Sequence, residues 1–142
     1  MWEDLLATRD KGLARAVGVS NYSPDQIDEL ARAAGEAPAV DQIPWSPPRH
    51  DPALLAALRK RGVAVEGYSP LKDTDLSAPA LAEIAARHDM TPAQVVLRWH
   101  LEHGITVIPK SAHLGRIESN LALCDFSLTA DEVIRLDGLA AR

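Results

Sequence analysis

Short apolar runs alternate along the chain with stretches whose apolar residues recur at helical spacing. The runs ARAVGVS (14–20), PAVDQI (38–43), GVAVEG (62–67) and GITVIP (104–109) are rich in Val and Ile and are set off by Gly or Ala/Pro breaks. Such runs predict strands buried on both faces. Between them, Ile27, Leu30 and Ala31 form one apolar stripe, and Leu54, Leu55 and Leu58 form another. Val95, Val96, Trp99 and Leu101 cover most of a third helix, which ends at Gly104. Ser23-Pro24, Asp51-Pro52 and Thr91-Pro92 each place a capping side chain before a proline at the first helical position. Thr91 with Gln94, and Thr129 with Glu132, have the spacing of a capping box. Residues 78–88 read as a further helix ahead of that third one at 92–103, and the charged N-terminal MWEDLLATRDKG as another.

The first three strands start at 14, 38 and 62, a spacing of 24 residues, which is one strand–helix unit. Strand–helix alternation without hairpin signals predicts an α/β protein with four parallel strands. Residues 1–142 read as a single domain, with no internal repeat and no low-complexity segment.

Composition narrows the partners. Hydrophobic residues make up 46% and charged residues 25%, as in an ordinary globular chain, while aromatics are only 4%, so Leu, Val, Ile and Ala must build the core. A net charge of -5 argues against nucleic acid and anionic membrane as partners, but leaves room for one local cationic pocket. Cys124 is the only cysteine, which excludes an internal disulfide and suits a reduced, cytoplasmic setting. Within LALCDF it reads as a small buried hydrophobe on a helix rather than a reactive thiol. His100 and His103 share a helix at i, i+3 without a third ligand, so they read as a solvated helix face and no metal site is expected.

The conspicuous polar residues all follow strands: Ser20-Asn21, Gln42, Tyr68-Ser69 and Lys110-Ser111. Four strands delivering polar groups to one rim is the layout of a TIM barrel, whose active face lies at the C-terminal ends of its strands. The glycine-rich phosphate loops of other nucleotide-binding folds are absent from the sequence. GVSN (18–21), VDQI (40–43), GYSPL (67–71), LRW (97–99), IPKS (108–111), RIESN (116–120) and DFSLT (125–129) fall in the order and spacing of aldo-keto reductases, which the chain resembles over nearly its whole length. That family has a (β/α)8 barrel and reduces aldehydes and ketones with NADPH, so the resemblance implies a half barrel carrying the NADP(H)-binding side.

By that resemblance, Ser20, Asn21 and Gln42 hydrogen-bond the nicotinamide carboxamide, and Tyr68 stacks on the nicotinamide ring. Ser69, Pro70 and Leu71 continue along the pyrophosphate. Lys110, Ser111 and Arg116 hold the 2′-phosphate, helped by the amides of a helix starting near 113, and Asn120 faces the adenine. The chain departs from the family at Asp41, usually Asn, at IPWSP after Gln42, and at Ser119, often an adenine-contacting Glu. The family's catalytic Asp, Tyr, Lys and His belong to the first four strand–helix units, and no residue here matches them.

A full barrel needs about 200–250 residues, so the outer strands of a half barrel would present apolar edges prone to pairing with another chain. The expectation is a truncated product, an excerpt, or a half that assembles with a second half. A carbonyl substrate is a partner only of the completed barrel.

Overall fold

The computed structural model describes residues 1–139. In chain order the elements are α1 (Trp2–Asp10), β1 (Val19–Ser20), α2 (Pro24–Ala34), β2 (Val40–Pro44), a 3-10 turn (Pro47–Arg49), α3 (Pro52–Lys60), β3 (Ala64–Tyr68), α4 (Pro79–Arg87), α5 (Pro92–Glu102), β4 (Thr106–Val107), α6 (Leu114–Leu121) and α7 (Ala130–Asp137). The four strands are parallel and lie side by side in the order β1-β2-β3-β4. All four predicted strands are present, although β1 and β4 are shorter than the runs that announced them. Each of these two has a neighbour on one side only within the sheet.

The chain divides into two compact units, Met1–Ile43 with Asp51–Glu66, and Pro44–His50 with the chain from Gly67 onward. In the first unit Ser23 accepts from the Gln26 amide at 3.2 Å while Gln26 accepts from the Ser23 amide at 2.8 Å, closing the capping box that starts α2. Gly35 ends α2 with φ of 80°, a left-handed conformation that glycine adopts without a Cβ penalty. Asp51 caps α3 by accepting from the Ala53 and Leu54 amides, both at 3.0 Å. Ile27, Leu55, Leu58, Val63 and Val65 are buried and form this unit's core. Arg61 clamps α2 from α3 through two bonds to the Asp28 carboxylate, at 2.8 and 2.6 Å. Gly18 is required where β1 meets β2, because a Cβ there would overlap the Val40 carbonyl and side chain.

In the second unit Leu81, Ile84, Val95, Val96, Leu97 and Leu136 pack as a buried core between α4, α5 and α7. Thr91 and Thr129 cap α5 and α7 through the expected boxes with Gln94 and Glu132. Glu132 does more than cap. Its buried carboxylate also receives Arg87 at 2.8 Å and His88 at 3.1 Å from the end of α4.

Two expectations fail here. His100 is not a solvated residue: it is fully buried, with Nδ1 2.8 Å from the Val96 carbonyl and Nε2 2.9 Å from the Trp45 carbonyl. Burial lowers its pKa, against the opposing pull of those two carbonyls. His103 is half-buried, bonded to Asp137 at 2.9 Å and packed edge-on against Trp99. The cause is IPWSP, which places Trp45 in the core, stacked on Trp99, so that the His face of α5 is covered. Cys124 is exposed rather than buried on a helix, because α6 ends at Leu121 and the chain turns before reaching it.

Candidate functional site

The residues predicted for cofactor binding fall into two groups, one in each unit. In the first, the β1–β2 register sets Ser20 opposite Gln42. Ser20 Oγ donates to the Gln42 carbonyl at 2.9 Å and accepts from Asn21 Nδ2 at 3.2 Å, while the Asn21 amide donates to the same carbonyl at 3.0 Å. Ser20 and Asn21 are thereby tied to the Gln42 main chain at the carboxyl end of β1. Asn21 adopts a left-handed backbone, φ 61°, which turns the chain sharply off β1.

Alternation along β2 separates the acid and the amide of VDQI. Asp41 is buried on the opposite face from half-buried Gln42, so it points away from this group. Burial raises the Asp41 pKa, while hydrogen bonds from the Tyr22 and Asn21 amides hold it down. One carboxyl oxygen, Oδ2, is buried without a hydrogen-bond partner. Gln42 has a partner that sequence reasoning missed: its Nε2 donates to Glu66 Oε2 at 2.6 Å. The signal was available. Residues 42 and 66 are 24 apart, which is the strand-to-strand repeat, so they sit level on neighbouring strands.

In the second unit a cavity of about 520 Å³ is lined by Ser69, Pro70 and Leu71 after β3, by Pro109, Lys110 and Ser111 after β4, and by Arg116 and Asn120 on α6. Seven of the predicted residues thus line one cavity, joined by Lys72, Thr91, Ala93, Pro109 and Ser119, which were not predicted. Tyr68 does not line that cavity; it ends β3, half-buried, and its carbonyl accepts from the Trp45 amide at 3.2 Å. Ser69 repeats the device seen at Asn21, a left-handed residue, φ 53°, directly after a strand.

Charge is concentrated in this cavity. Lys110 and Arg116 are exposed, and among the described residues neither has an ion-pair partner. Helix α6 starts between them, and His113 at its N-cap makes no side-chain cap bond. Ser111 Oγ accepts from the His113 amide at 3.1 Å, which orders the turn into the helix. Two unneutralised cations beside an uncapped helix N-terminus have the charge to attract a compact anion. A second cavity of about 560 Å³ shares Pro109, Ser111 and Asn120 with the first and is otherwise walled mainly by apolar residues such as Leu101, Ile105, Ile117 and Leu123. No group of three metal-binding side chains occurs among the described residues, and none of their helices is long and apolar enough to cross a membrane.

Comparison with known proteins finds relatives along nearly the whole chain. The model of the aldo/keto reductase family matches residues 1–141. An aldo-keto reductase of Mycolicibacterium vanbaalenii is 42% identical over 139 residues, covering 97% of this chain and 50% of the relative. A 2,5-diketo-D-gluconic acid reductase B of Corynebacterium is 39% identical over 140 residues, covering 97% and 50%. The crystal structure of a Bombyx mori aldo-keto reductase in complex with NADP superimposes with a TM-score of 0.90 at 31% identity, covering 96% of this chain and 48% of that one. The chain therefore spans about half the length of the relatives it matches. With its four parallel strands and a family match along nearly its entire length, this chain belongs to the aldo/keto reductase family.

Proposed function

We propose that this chain is the NADP(H)-binding half of a carbonyl-reducing (β/α)8 barrel, and that by itself it binds the cofactor without turning over. The observation that carries the reading is the cationic cavity at the start of α6, where Lys110, Ser111 and Arg116 converge. A 2′-phosphate is a dianion that an ammonium, a guanidinium and free helix amides are suited to hold. Asn120, one turn along α6, would meet the adenine. Ser69, Pro70 and Leu71 would follow the pyrophosphate. Ser20, Asn21 and Gln42 carry the donors and acceptors that a carboxamide needs, and Tyr68 offers a ring face for the nicotinamide. The cofactor, when bound, supplies hydride; these residues bind and orient it and offer no matched proton donor.

A carbonyl substrate would be engaged only with the complementary strands in place. The outer strands β1 and β4 would pair with such a half or with a second copy. The lone, exposed thiol of Cys124 suits a reduced, cytoplasmic setting.

Titration of the purified chain with NADPH and NADH, followed by nicotinamide fluorescence, tests the reading. NADPH should bind at least about tenfold more tightly, the equivalent of one well-formed charge-assisted contact after solvent screening. Equal affinities would show that the cavity does not read the 2′-phosphate. Reduction of an aldehyde panel that survives repurification and disappears in Tyr68→Phe would refute the absence of turnover.

A further inference from the structure

We infer that Glu66 is a positioning residue that fixes the polarity of the Gln42 amide and thereby makes the carboxamide site an acceptor. This inference rests on the proposal that Gln42 meets the nicotinamide carboxamide. A glutamine side chain can present either end of its amide, and the two orientations differ only in where the oxygen and the nitrogen lie. An ionised carboxylate has no proton to give, so whichever end of Gln42 faces it must be the NH2. The 2.6 Å contact from Gln42 Nε2 to Glu66 Oε2 is such a charge-assisted bond. Both side chains are half-buried, so the bond is only partly screened by water.

The backbone end of the same residue is held as well. The Gln42 carbonyl accepts from both Ser20 Oγ and the Asn21 amide. With main chain and Nε2 both engaged, Oε1 is the atom left to face a ligand. The site is then complementary to a donor, as in the NH2 of a primary carboxamide. A methyl ketone would offer that oxygen no proton in either orientation.

Comparison of NADP+ with its 3-acetylpyridine analogue provides the test, because the analogue replaces the carboxamide NH2 with a methyl group and keeps the carbonyl. The wild-type chain should prefer NADP+ by about 5- to 10-fold, the value of one hydrogen bond. Glu66→Gln has the same shape but can pair with Gln42 in either orientation, letting Gln42 turn its NH2 toward the acetyl oxygen. Its preference should fall below about threefold. In the same variant, the side-chain amide signal of Gln42 in a nitrogen–proton NMR spectrum should lose the downfield displacement of a carboxylate-bonded proton, with or without cofactor. A merely structural Glu66 would weaken both ligands together and leave their ratio unchanged.

Adenosine 2′,5′-bisphosphate, which lacks the nicotinamide, separates the two levels of failure. If it does not bind, the cofactor reading itself falls and the role of Glu66 with it. If it binds but the wild-type chain does not distinguish NADP+ from the analogue, or Glu66→Gln distinguishes them equally well, the positioning role alone is overturned.

Discussion

Replacing Glu132 with Gln should destabilise the second unit at neutral pH and have almost no effect near pH 2. The carboxylate is only 1% exposed and bonds the Thr129 amide at 2.9 Å, Thr129 Oγ1 at 3.0 Å, Arg87 at 2.8 Å and His88 at 3.1 Å. Burial alone would raise its pKa, but the Thr129 bonds and His88 outweigh burial and bring it down to about 2 from 4.5. Because the folded value lies below the unfolded one, the stabilisation is fully present above pH 4.5 and is lost as pH falls toward 2. At about 1.4 kcal/mol per unit, such a displacement corresponds to roughly 3 kcal/mol at neutral pH, an upper figure because Arg87 is itself half-exposed. Gln is the informative substitution, since its oxygen keeps the N3 contact of the capping box while its NH2, which cannot accept from Arg87, removes the charge and the ion pair together. Urea unfolding followed by the fluorescence of buried Trp45 and Trp99 should show a deficit of about 1–3 kcal/mol at pH 7 that shrinks steadily below pH 4.5. A deficit of the same size at pH 7 and at pH 3 would show that packing, not charge, is what Glu132 contributes.

Lys110→Met and Arg116→Ala should each weaken NADPH by about tenfold, leave NADH nearly unchanged, and lose their effect at high salt; parallel losses of both cofactors would assign the cations to the pyrophosphate or the fold. Asp41, whose pKa burial raises, should make stability fall as pH climbs from the unfolded carboxyl value through the folded one. Asp41→Asn should therefore flatten the fall of stability as pH rises above the ordinary carboxyl range, and an unchanged slope in thermal melts would refute that. Gly18→Ala should cost about 2 kcal/mol or more because the new Cβ meets the Val40 backbone, and a melting temperature equal to wild type would show that β1 can shift aside.

The parts of the molecule that were legible in the sequence are those where a local signal decides the outcome. Ser23, Asp51, Thr91 and Thr129 each start a helix where their spacing to the next proline, Gln or Glu says one should begin. The polar residues directly after β1, β3 and β4 follow from strands that end where the apolar run ends. Errors arise where a distant segment decides. Nothing near His100 in the chain announces that Trp45, 55 residues away, will turn its carbonyl toward the imidazole. The predicted strand 104–109 likewise shrank to Thr106–Val107, because strand extent is set by a neighbouring ladder and not by residue type. Cys124 was misplaced because an apolar string does not reveal where a helix stops.

The left-handed residues Asn21 and Ser69 have a consequence for engineering. Each sits where glycine would be conformationally at ease, and a serine with positive φ costs on the order of 1 kcal/mol or more. A library selected only for heat resistance should thus drift toward glycine at 69, and to a smaller degree at 21, where asparagine tolerates the conformation better. Both positions belong to the proposed cofactor contacts, so the drift would remove those proposed contacts while the fold improved. Stabilising this chain safely means holding both positions fixed and seeking gains on the outer faces of the helices.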